Sequence, residues 1–204
     1  MGIHVASRRR ARESVVAQWP GAVVLDVTSR GPEPWVRFSP FYPHGGIPVP
    51  FSDGVTAASV EGIWQALKVF DGADVDASKL AVTSMRGIKR TVRRYGPVRG
   101  HRAGLEGDEL LPYGRARREI YLPAYRWVLE NKVAHLVEEL RRLGEVVLLD
   151  YTVNGDVDDL STPLSHAALV GRFAENRWPY SSVAGLPPAT TSASRSSSVA
   201  PRRQ

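Results

Sequence analysis

One segment, residues 59–70, sets the strongest local constraint on how this chain can fold. Ser59 is a residue type that begins helices, and a helical turn of about 100° per residue separates the positions that follow into two faces. The apolar face holds Val60, Ile63, Ala66, Leu67 and Phe70. The polar face holds Glu61, Gln65 and Lys68, so that a carboxylate, an amide and an ammonium form one line. Surface helices commonly carry such a face opposite their core-facing stripe, so the spacing alone favours a solvent-exposed line.

The composition indicates one domain that is stabilised by packing. The chain has 204 residues, of which 43% are hydrophobic, and this is enough for a single sizeable core. It contains no cysteine, which excludes disulfides, thiolate zinc sites and cysteine nucleophiles and suits a reducing cytoplasm. No uninterrupted apolar run approaches the roughly 20 residues that a membrane-spanning helix needs. We therefore expect a cytoplasmic protein without a membrane segment.

Apolar periodicity and turn residues predict an alternation of strands and helices. Strands are expected at residues 22–27, 35–39, 47–51 and 145–151. Helices are expected at residues 77–95, at residues 115–143 with a kink or a new start at Pro123, and from Ser161 or Thr162 towards Glu175.

Basic residues cluster in two places, which leaves two interpretations open. The formal net charge is +6, four arginines crowd residues 8–12, and residues 86–102 hold seven lysines and arginines and no acid. Such clusters attract phosphate groups, whereas charged surfaces also serve solubility alone. We expect residues 1–14 to be a flexible basic N-terminus. Residues 181–204, in which serine, alanine, proline and arginine dominate, are expected to be disordered.

Polar residues follow the clearest predicted strand, at the point where it leaves the core. They are Asp150, Asn154, Asp156, Asp158 and Asp159. Their spacing does not match a calcium-binding loop, so we expect no metal site. His166 follows Ser165 and is suited to proton transfer near neutral pH, although a lone histidine on a helix is more often structural. No Gly-x-Ser-x-Gly elbow accompanies it, which disfavours a serine hydrolase.

The order of motifs in residues 38–70 resembles the opening of a known family. Phe38-Ser-Pro-Phe-Tyr-Pro43 is followed by Asp53-Gly54 and then by a helix of the form Ser-x-Glu-x-x-x-Gln-Ala-x-Lys. This order resembles the NADAR superfamily, the YbiA-like proteins, and a looser similarity in the order of elements extends to about residue 172. The family tends to show Asp-x-x-Trp-Gly after an acidic residue, whereas residues 150–156 contain no tryptophan. That departure fits either an altered substrate or a scaffold retained after activity was lost.

The resemblance implies an α+β, helix-rich single domain with a small sheet, over residues 15–180, that acts as an N-glycosidase. The implied substrates are ribosylated bases, such as riboflavin-pathway intermediates or ADP-ribosylated guanine. The partner would then be a ribosylated nucleotide or an ADP-ribosylated nucleic acid, and no metal or organic cofactor is required. The alternative is a non-catalytic nucleotide or nucleic-acid binding module that uses residues 86–102.

The implied chemistry gives each candidate residue a role. Cleavage of a C–N glycosidic bond places positive charge on the sugar, and a fixed carboxylate stabilises that charge or directs a water to C1. Glu61 is expected in this role, with Asp150 or Asp156 as the second carboxylate. The expected substrate-binding residues are Ser39, Phe41, Tyr42, Trp64, Gln65, Lys68, Asn154, Asp156 and His166, and the expected phosphate-binding residues are Arg86, Arg90 and Arg94. Phe41 and Tyr42 form either an aromatic wall of the site or a plug in the core.

Overall fold

Short strands and helices alternate along the chain and form the mixed α+β domain that the sequence predicts. The structure is a computed structural model that describes residues 2–179. The strands are β1 (Gly2–Ser7), β2 (Val23–Asp26), β3 (Ile47–Pro48), β4 (Thr56–Ala57), β5 (Lys68–Phe70), β6 (Val98–Arg102), β7 (Leu110–Leu111) and β8 (Glu145–Asp150). The α-helices are α1 (Arg12–Gln18), α2 (Val60–Leu67), α3 (Val92–Tyr95), α4 (Tyr113–Ala116), α5 (Leu122–Asn131), α6 (Ala134–Arg142) and α7 (His166–Ala174). Two 3-10 helices (Trp35–Phe38 and Ala77–Ala81) and a π-helical turn (Arg117–Tyr121) complete the described chain.

The main sheet is parallel, with strand order β1-β8-β2. The central strand β8 is apolar on both faces, as expected for a parallel strand covered on both sides. Val146 and Leu148 belong to the main core, whereas Val147 packs with Ala6 and Val15 in a smaller cluster under α1. Because the strands are parallel, their carboxyl ends meet at one edge, where Ser7 pairs with Asp150.

The prediction of a flexible basic N-terminus is wrong for the residues that the structure describes. Gly2–Ser7 pairs with β8 along its whole length, and Ile3 and Val5 pack against the main core. The arginines that follow lie at the edge of the sheet, where Arg8 Nε donates to Asp26 Oδ2 at 2.6 Å. The apolar residues before the arginines, and not the arginines themselves, decide the structure of this segment.

Helix α2 begins at its predicted cap and ends earlier than the spacing suggests. The Ser59 hydroxyl accepts a hydrogen bond from the backbone N–H of Gly62 at 3.0 Å, which satisfies a donor of the first turn. The helix ends at Leu67, and Lys68 begins β5, which pairs antiparallel with β6. The polar line is not solvent-exposed, although the spacing alone favoured exposure. Only 8% of the surface of Glu61 and 3% of that of Gln65 are exposed to solvent.

The predicted helix at residues 77–95 is wrong for most of its length. The segment forms the 3-10 helix Ala77–Ala81 and the short helix α3, and between them the chain turns at Gly87, whose φ is +74°. Ile88 and Arg90 are buried on either side of the exposed Lys89. Tertiary burial of alternate residues outweighs the helical propensity of this segment.

Three further predicted elements differ from the structure. The expected strand at residues 35–39 is the 3-10 helix Trp35–Phe38, which follows Pro32 and Pro34. The expected strand at residues 47–51 is shortened to β3, because Phe51 adopts a positive φ of 59°. The last helix begins at His166 with Ser165 as its cap, later than Ser161 or Thr162.

The predicted helical region at residues 115–143 is divided into pieces. It comprises α4, the π-helical turn, α5 with Pro123 in its first turn, and α6 after a break at Lys132 and Val133. Among residues 2–179, no helix has both the length and the apolar character required to cross a membrane. The predicted tail at residues 181–204 lies outside the described residues.

Candidate active site

The main cavity lies where the carboxyl ends of the parallel strands meet α2 and the π-helical turn. Its volume is about 260 Å³. Its walls include Pro40, Phe41, Glu61, Trp64, Lys89, Tyr113, Arg117, Tyr121, Asp150, Tyr151, Leu164 and His166. The structure therefore brings together Phe41, Glu61, Trp64, Asp150 and His166, which the sequence analysis selected from separate segments.

A second cavity, of about 410 Å³, adjoins the main cavity. The walls common to both are Phe41, Lys89, Asp150, Tyr151 and His166. Ser39 borders this second cavity, and its hydroxyl accepts a hydrogen bond from the backbone N–H of Phe41 at 3.3 Å. The proline-rich segment after the first 3-10 helix thus supplies both a polar and an aromatic wall.

Glu61 projects from the first turn of α2 to the wall of the main cavity. Its Oε1 accepts a hydrogen bond from Gln65 Nε2 at 2.8 Å, and the side chain borders the main cavity. Burial raises the pKa of Glu61, and the opposing effects of the Gln65 hydrogen bond and of the charges on Lys89 and Lys68 do not cancel this rise. A buried carboxylate with a raised pKa is suited to accept a proton from a bound water.

Gln65 is oriented towards Glu61 by Arg90. The backbone N–H of Arg90 donates to Gln65 Oε1 at 2.9 Å, so the amide nitrogen of Gln65 faces the carboxylate. The Arg90 guanidinium is itself fixed, since it donates to the backbone carbonyls of Lys68 and Asp74 at 2.6 Å each. The expectation that Arg90 binds phosphate is therefore corrected: this side chain is buried and caps the end of α2.

Asp150 and His166 form a buried ion pair at the end of β8. Asp150 Oδ2 accepts hydrogen bonds from His166 Nδ1 at 2.9 Å and from the Ser165 hydroxyl at 2.8 Å, and its Oδ1 accepts from the backbone N–H of Tyr151 at 2.6 Å. His166 Nε2 donates to the carbonyl of Val27 at 2.9 Å. Both ring nitrogens of His166 therefore act as donors, which requires the imidazolium form.

The pKa shifts of the pair agree with this geometry. Burial opposes the charge on His166, but the charge and hydrogen bond of Asp150, with the Val27 carbonyl, outweigh it and raise the pKa of His166. Burial also opposes the charge on Asp150, yet His166, Ser165 and the Tyr151 N–H hold the pKa of Asp150 below its usual value. The pair is a source of fixed charge at the cavity wall. No cluster of three or more potential metal ligands occurs among residues 2–179.

Arg117 is a site residue that the sequence analysis missed. It retains 2% of its exposure, and its guanidinium donates to the carbonyls of Val157, Asp159 and Thr162 at 3.3, 2.7 and 2.9 Å. These bonds fasten the loop between β8 and α7 against the π-helical turn, a helical irregularity that often occurs at functional sites. In the sequence, Arg117 lies within a run of basic residues that is typical of a surface, so no local signal distinguishes it.

Lys89 is the member of the basic cluster that borders both cavities. Its Nζ lies 5.4 Å from the centroid of the Phe41 ring, a cation–π distance. The predicted phosphate-binding residues Arg86 and Arg94 are exposed and border neither cavity. Lys89, which the sequence analysis did not single out, is therefore the residue of this segment that a ligand in either cavity would meet.

Three other predicted residues lie away from both cavities. The Tyr42 hydroxyl donates to Glu33 Oε1 at 3.2 Å, and Asn154 Nδ2 donates to the carbonyl of Asp159 at 3.0 Å. Asp156 is exposed, and its carboxylate accepts a backbone N–H within the same loop. Of the two candidates for the second carboxylate, Asp150 borders the cavities and Asp156 does not.

Trp64 separates the main cavity from a third cavity of about 390 Å³. The centroid of its ring lies 3.8 Å from that of His101 and 5.9 Å from that of Tyr113. Lys68 borders this third cavity, with its Nζ 5.8 Å from the centroid of the Trp64 ring. Glu61 therefore borders the main cavity and Lys68 the third cavity, whereas Gln65 is a wall of neither.

Comparison with known proteins places the chain in a family. No curated protein matches the sequence. A family model described as "Family of unknown function (DUF6939)" matches residues 7–170, a range that includes the residues around all three cavities. The chain therefore belongs to the DUF6939 family, a family of unknown function.

Proposed function

We propose that the protein is an N-glycosidase that hydrolyses the C–N bond of a ribosylated or ADP-ribosylated base. The observation that carries the proposal is the position of Glu61. Its carboxylate is buried at the wall of the main cavity, has Oε1 held by Gln65, and has a raised pKa. Fixed carboxylates of this kind stabilise positive charge on a sugar or activate water.

The proposed reaction is a hydrolysis at C1 of the ribose. The bond between C1 and the nitrogen of the base breaks, and its electron pair leaves with the base. The oxygen of a water molecule bonds to C1, and Glu61 accepts a proton from that water. The departing nitrogen takes up a proton from solvent, and Glu61 afterwards returns its own proton to solvent. Gln65 is a positioning residue in this scheme, because its amide holds Glu61 Oε1 in place.

Asp150 and His166 contribute to the proposal as a fixed pair and not as proton carriers. Hydrogen bonds from His166, Ser165 and Tyr151 engage both oxygens of Asp150. The pair holds two oppositely charged side chains at the cavity wall, and Phe41 supplies an apolar surface beside them. The NADAR-like order of motifs supports the same reaction class, since its Ser39, Phe41, Glu61 and Trp64 border the main cavity or its neighbour.

Base release by the wild type and by Glu61→Gln tests the proposal. Each protein is incubated with an oligonucleotide that carries ADP-ribosylated guanine and, separately, with a ribosylaminopyrimidine, and liquid chromatography quantifies the ADP-ribose released from the first and the free base released from the second. We expect the amide to slow release by at least about 100-fold, because it cannot accept a proton. Glu139→Gln is the matched control, since Glu139 is exposed on α6, and it should release base at the wild-type rate. Equal release by all three proteins would remove Glu61 from the mechanism.

A non-catalytic nucleic-acid binding module is the second candidate. Arg86, Arg93 and Arg94 are exposed, and none of them forms an ion pair with a described acid. This alternative predicts affinity for an oligonucleotide that falls steeply with salt concentration. It also predicts that neutralising the three arginines abolishes binding whereas Glu61→Gln does not. A filter-binding salt titration, combined with absence of base release by the wild type, would favour it.

A further inference from the structure

The third cavity has the walls of an aromatic binding site. It is lined by the rings of Trp64, Tyr113 and His101, by Pro112 and Val98, and by the amine of Lys68 at one side. Its volume of about 390 Å³ falls within the roughly 300–1,000 Å³ that is common for small-molecule sites. Trp64 and Tyr113 also border the main cavity, so the two cavities lie on adjacent sides of one aromatic pair.

Two polar side chains at this cavity lack partners within the described part of the chain. His101 retains 1% of its exposure, and neither of its ring nitrogens has a hydrogen-bond partner among residues 2–179. Lys68 Nζ is half-buried beside Trp64 and likewise has no hydrogen bond or ion pair there. Buried polar groups are normally satisfied, so the unpartnered ring of His101, with the half-buried amine of Lys68 at the same cavity, points to a ligand.

The charge of the cavity fits a neutral ring better than a phosphate. Burial, with the nearby charge of Lys68, lowers the pKa of His101 to about 3, so its imidazole is neutral and offers one donor and one acceptor. Arg99, the other cation at the wall, is paired with Asp71 at 3.1 Å. Lys68 is then the one ammonium that a ligand meets, which suits a carbonyl oxygen or a ring nitrogen.

We propose that this third cavity binds the leaving base of the substrate as a planar heteroaromatic ring that stacks on Trp64, with an acceptor atom of its edge against Lys68. The inference rests on the proposed glycosidase function, in which the ribose occupies the main cavity beside Glu61. The base then lies across the Trp64–Tyr113 pair, at the cavity that His101 also lines. Stacking and a charge-assisted hydrogen bond favour flat bases with exocyclic oxygen over aliphatic amines.

Direct binding of free bases tests the inference without requiring turnover. The full chain is titrated with deoxyguanosine and with an aminopyrimidine, which carry the leaving bases of the two proposed substrates, by isothermal titration calorimetry. A parallel fluorescence titration of the wild type and of Trp64→Phe identifies the signal of Trp64. We expect Lys68→Met to weaken binding of the better base by about tenfold or more, and Trp64→Leu to weaken it by a similar factor. Lys132→Met is the matched control, since Lys132 also lies over a tryptophan ring, that of Trp127, and it should bind as the wild type does.

The outcomes separate this inference from the proposed function. Base binding that is lost in Lys68→Met and kept in Glu61→Gln supports the base site, even if no substrate is hydrolysed. Hydrolysis without measurable binding of either base at millimolar concentration would overturn the base site while leaving the glycosidase proposal intact. Binding that is weakened equally by Lys68→Met and Lys132→Met, or only by Glu61→Gln, would also overturn it. Thermal melts followed by circular dichroism establish that each variant is folded.

Discussion

Asp150→Asn should be one of the most destabilising single changes at the site. It leaves the buried His166 without the carboxylate that lies 2.9 Å from its Nδ1. Both side chains are largely buried, at 4% and 8% exposure, so solvent does little to screen the loss. Removing one partner of a buried pair leaves an uncompensated charge and costs about 3–5 kcal/mol. We therefore expect the free energy of unfolding to fall by that amount at neutral pH.

Urea unfolding followed by circular dichroism measures this effect. Asp158→Asn is the matched control, because Asp158 is an exposed acid whose ion pair with Arg118 should contribute less than about 1 kcal/mol. The double variant Asp150→Asn/His166→Gln should lose less than the sum of the two single variants, since each single change already removes the shared interaction. The reasoning would be refuted if Asp150→Asn lowered the free energy of unfolding by as little as Asp158→Asn does. It would also be refuted if the losses of the two single variants added up to that of the double variant.

The contributions of His166 and Asp150 to stability should depend on pH in opposite directions. The pKa of His166 is raised in the folded state, so its stabilisation is present below the unfolded value of about 6.5 and is lost as the pH rises through the folded value. The pKa of Asp150 is lowered, so its stabilisation is present above about 3.9 and is lost as the pH falls through the folded value. The wild type should therefore lose stability above about pH 6.5. Asp150→Asn should lack this alkaline loss in the same urea titrations.

The remaining predictions concern three other buried side chains. Glu61→Gln should raise the melting temperature. Burial raises the pKa of Glu61, so the charged carboxylate destabilises the folded state above about pH 4.3, and the neutral amide does not. An unchanged or lower melting temperature would contradict this prediction. His101→Phe should stabilise the fold by about 1–3 kcal/mol in urea unfolding, since it removes two unpartnered nitrogens and keeps the stacking on Trp64; destabilisation would show that the nitrogens are satisfied. Arg117→Met should speed hydrogen exchange in residues 156–163 and lower the free energy of unfolding by at least about 3 kcal/mol. Exchange at the wild-type rate would contradict the anchoring role of Arg117.

Local signals in the sequence located the elements that build the main cavity. Ser59 predicted the start of α2, and the apolar run at residues 145–151 predicted the central strand β8. The expectation that polar residues gather at the exit of that strand identified Asp150 and, after it, His166. These predictions succeeded because a cap and an uninterrupted β-branched run depend on residues close in sequence.

Burial on the polar side of α2 was not predictable from that helix. A helical wheel describes only the faces of one element, whereas Glu61 is covered by Phe41 and Lys89, which come from other segments. The two buried arginines illustrate the same limit. Arg90 and Arg117 lie in basic runs that look like solvent-exposed surface, and only the tertiary structure shows that they bind backbone carbonyls.

The N-terminal strand shows how a prominent signal obscured a weaker one. The arginines at residues 8–12 suggested a flexible basic arm, while the alternation of Ile3 and Val5 before them is too short to predict a strand by itself. Pairing with β8, which is distant in sequence, supplies the order that local propensity lacks.

The rate of base release under single-turnover conditions tests the central claim most directly. Excess protein is mixed with the ribosylaminopyrimidine, and the free base is followed over time for the wild type, Glu61→Gln and Glu139→Gln. The account predicts release by the wild type and by Glu139→Gln at one common rate, and a rate at least about 100-fold lower for Glu61→Gln. Release by Glu61→Gln at the wild-type rate would contradict it.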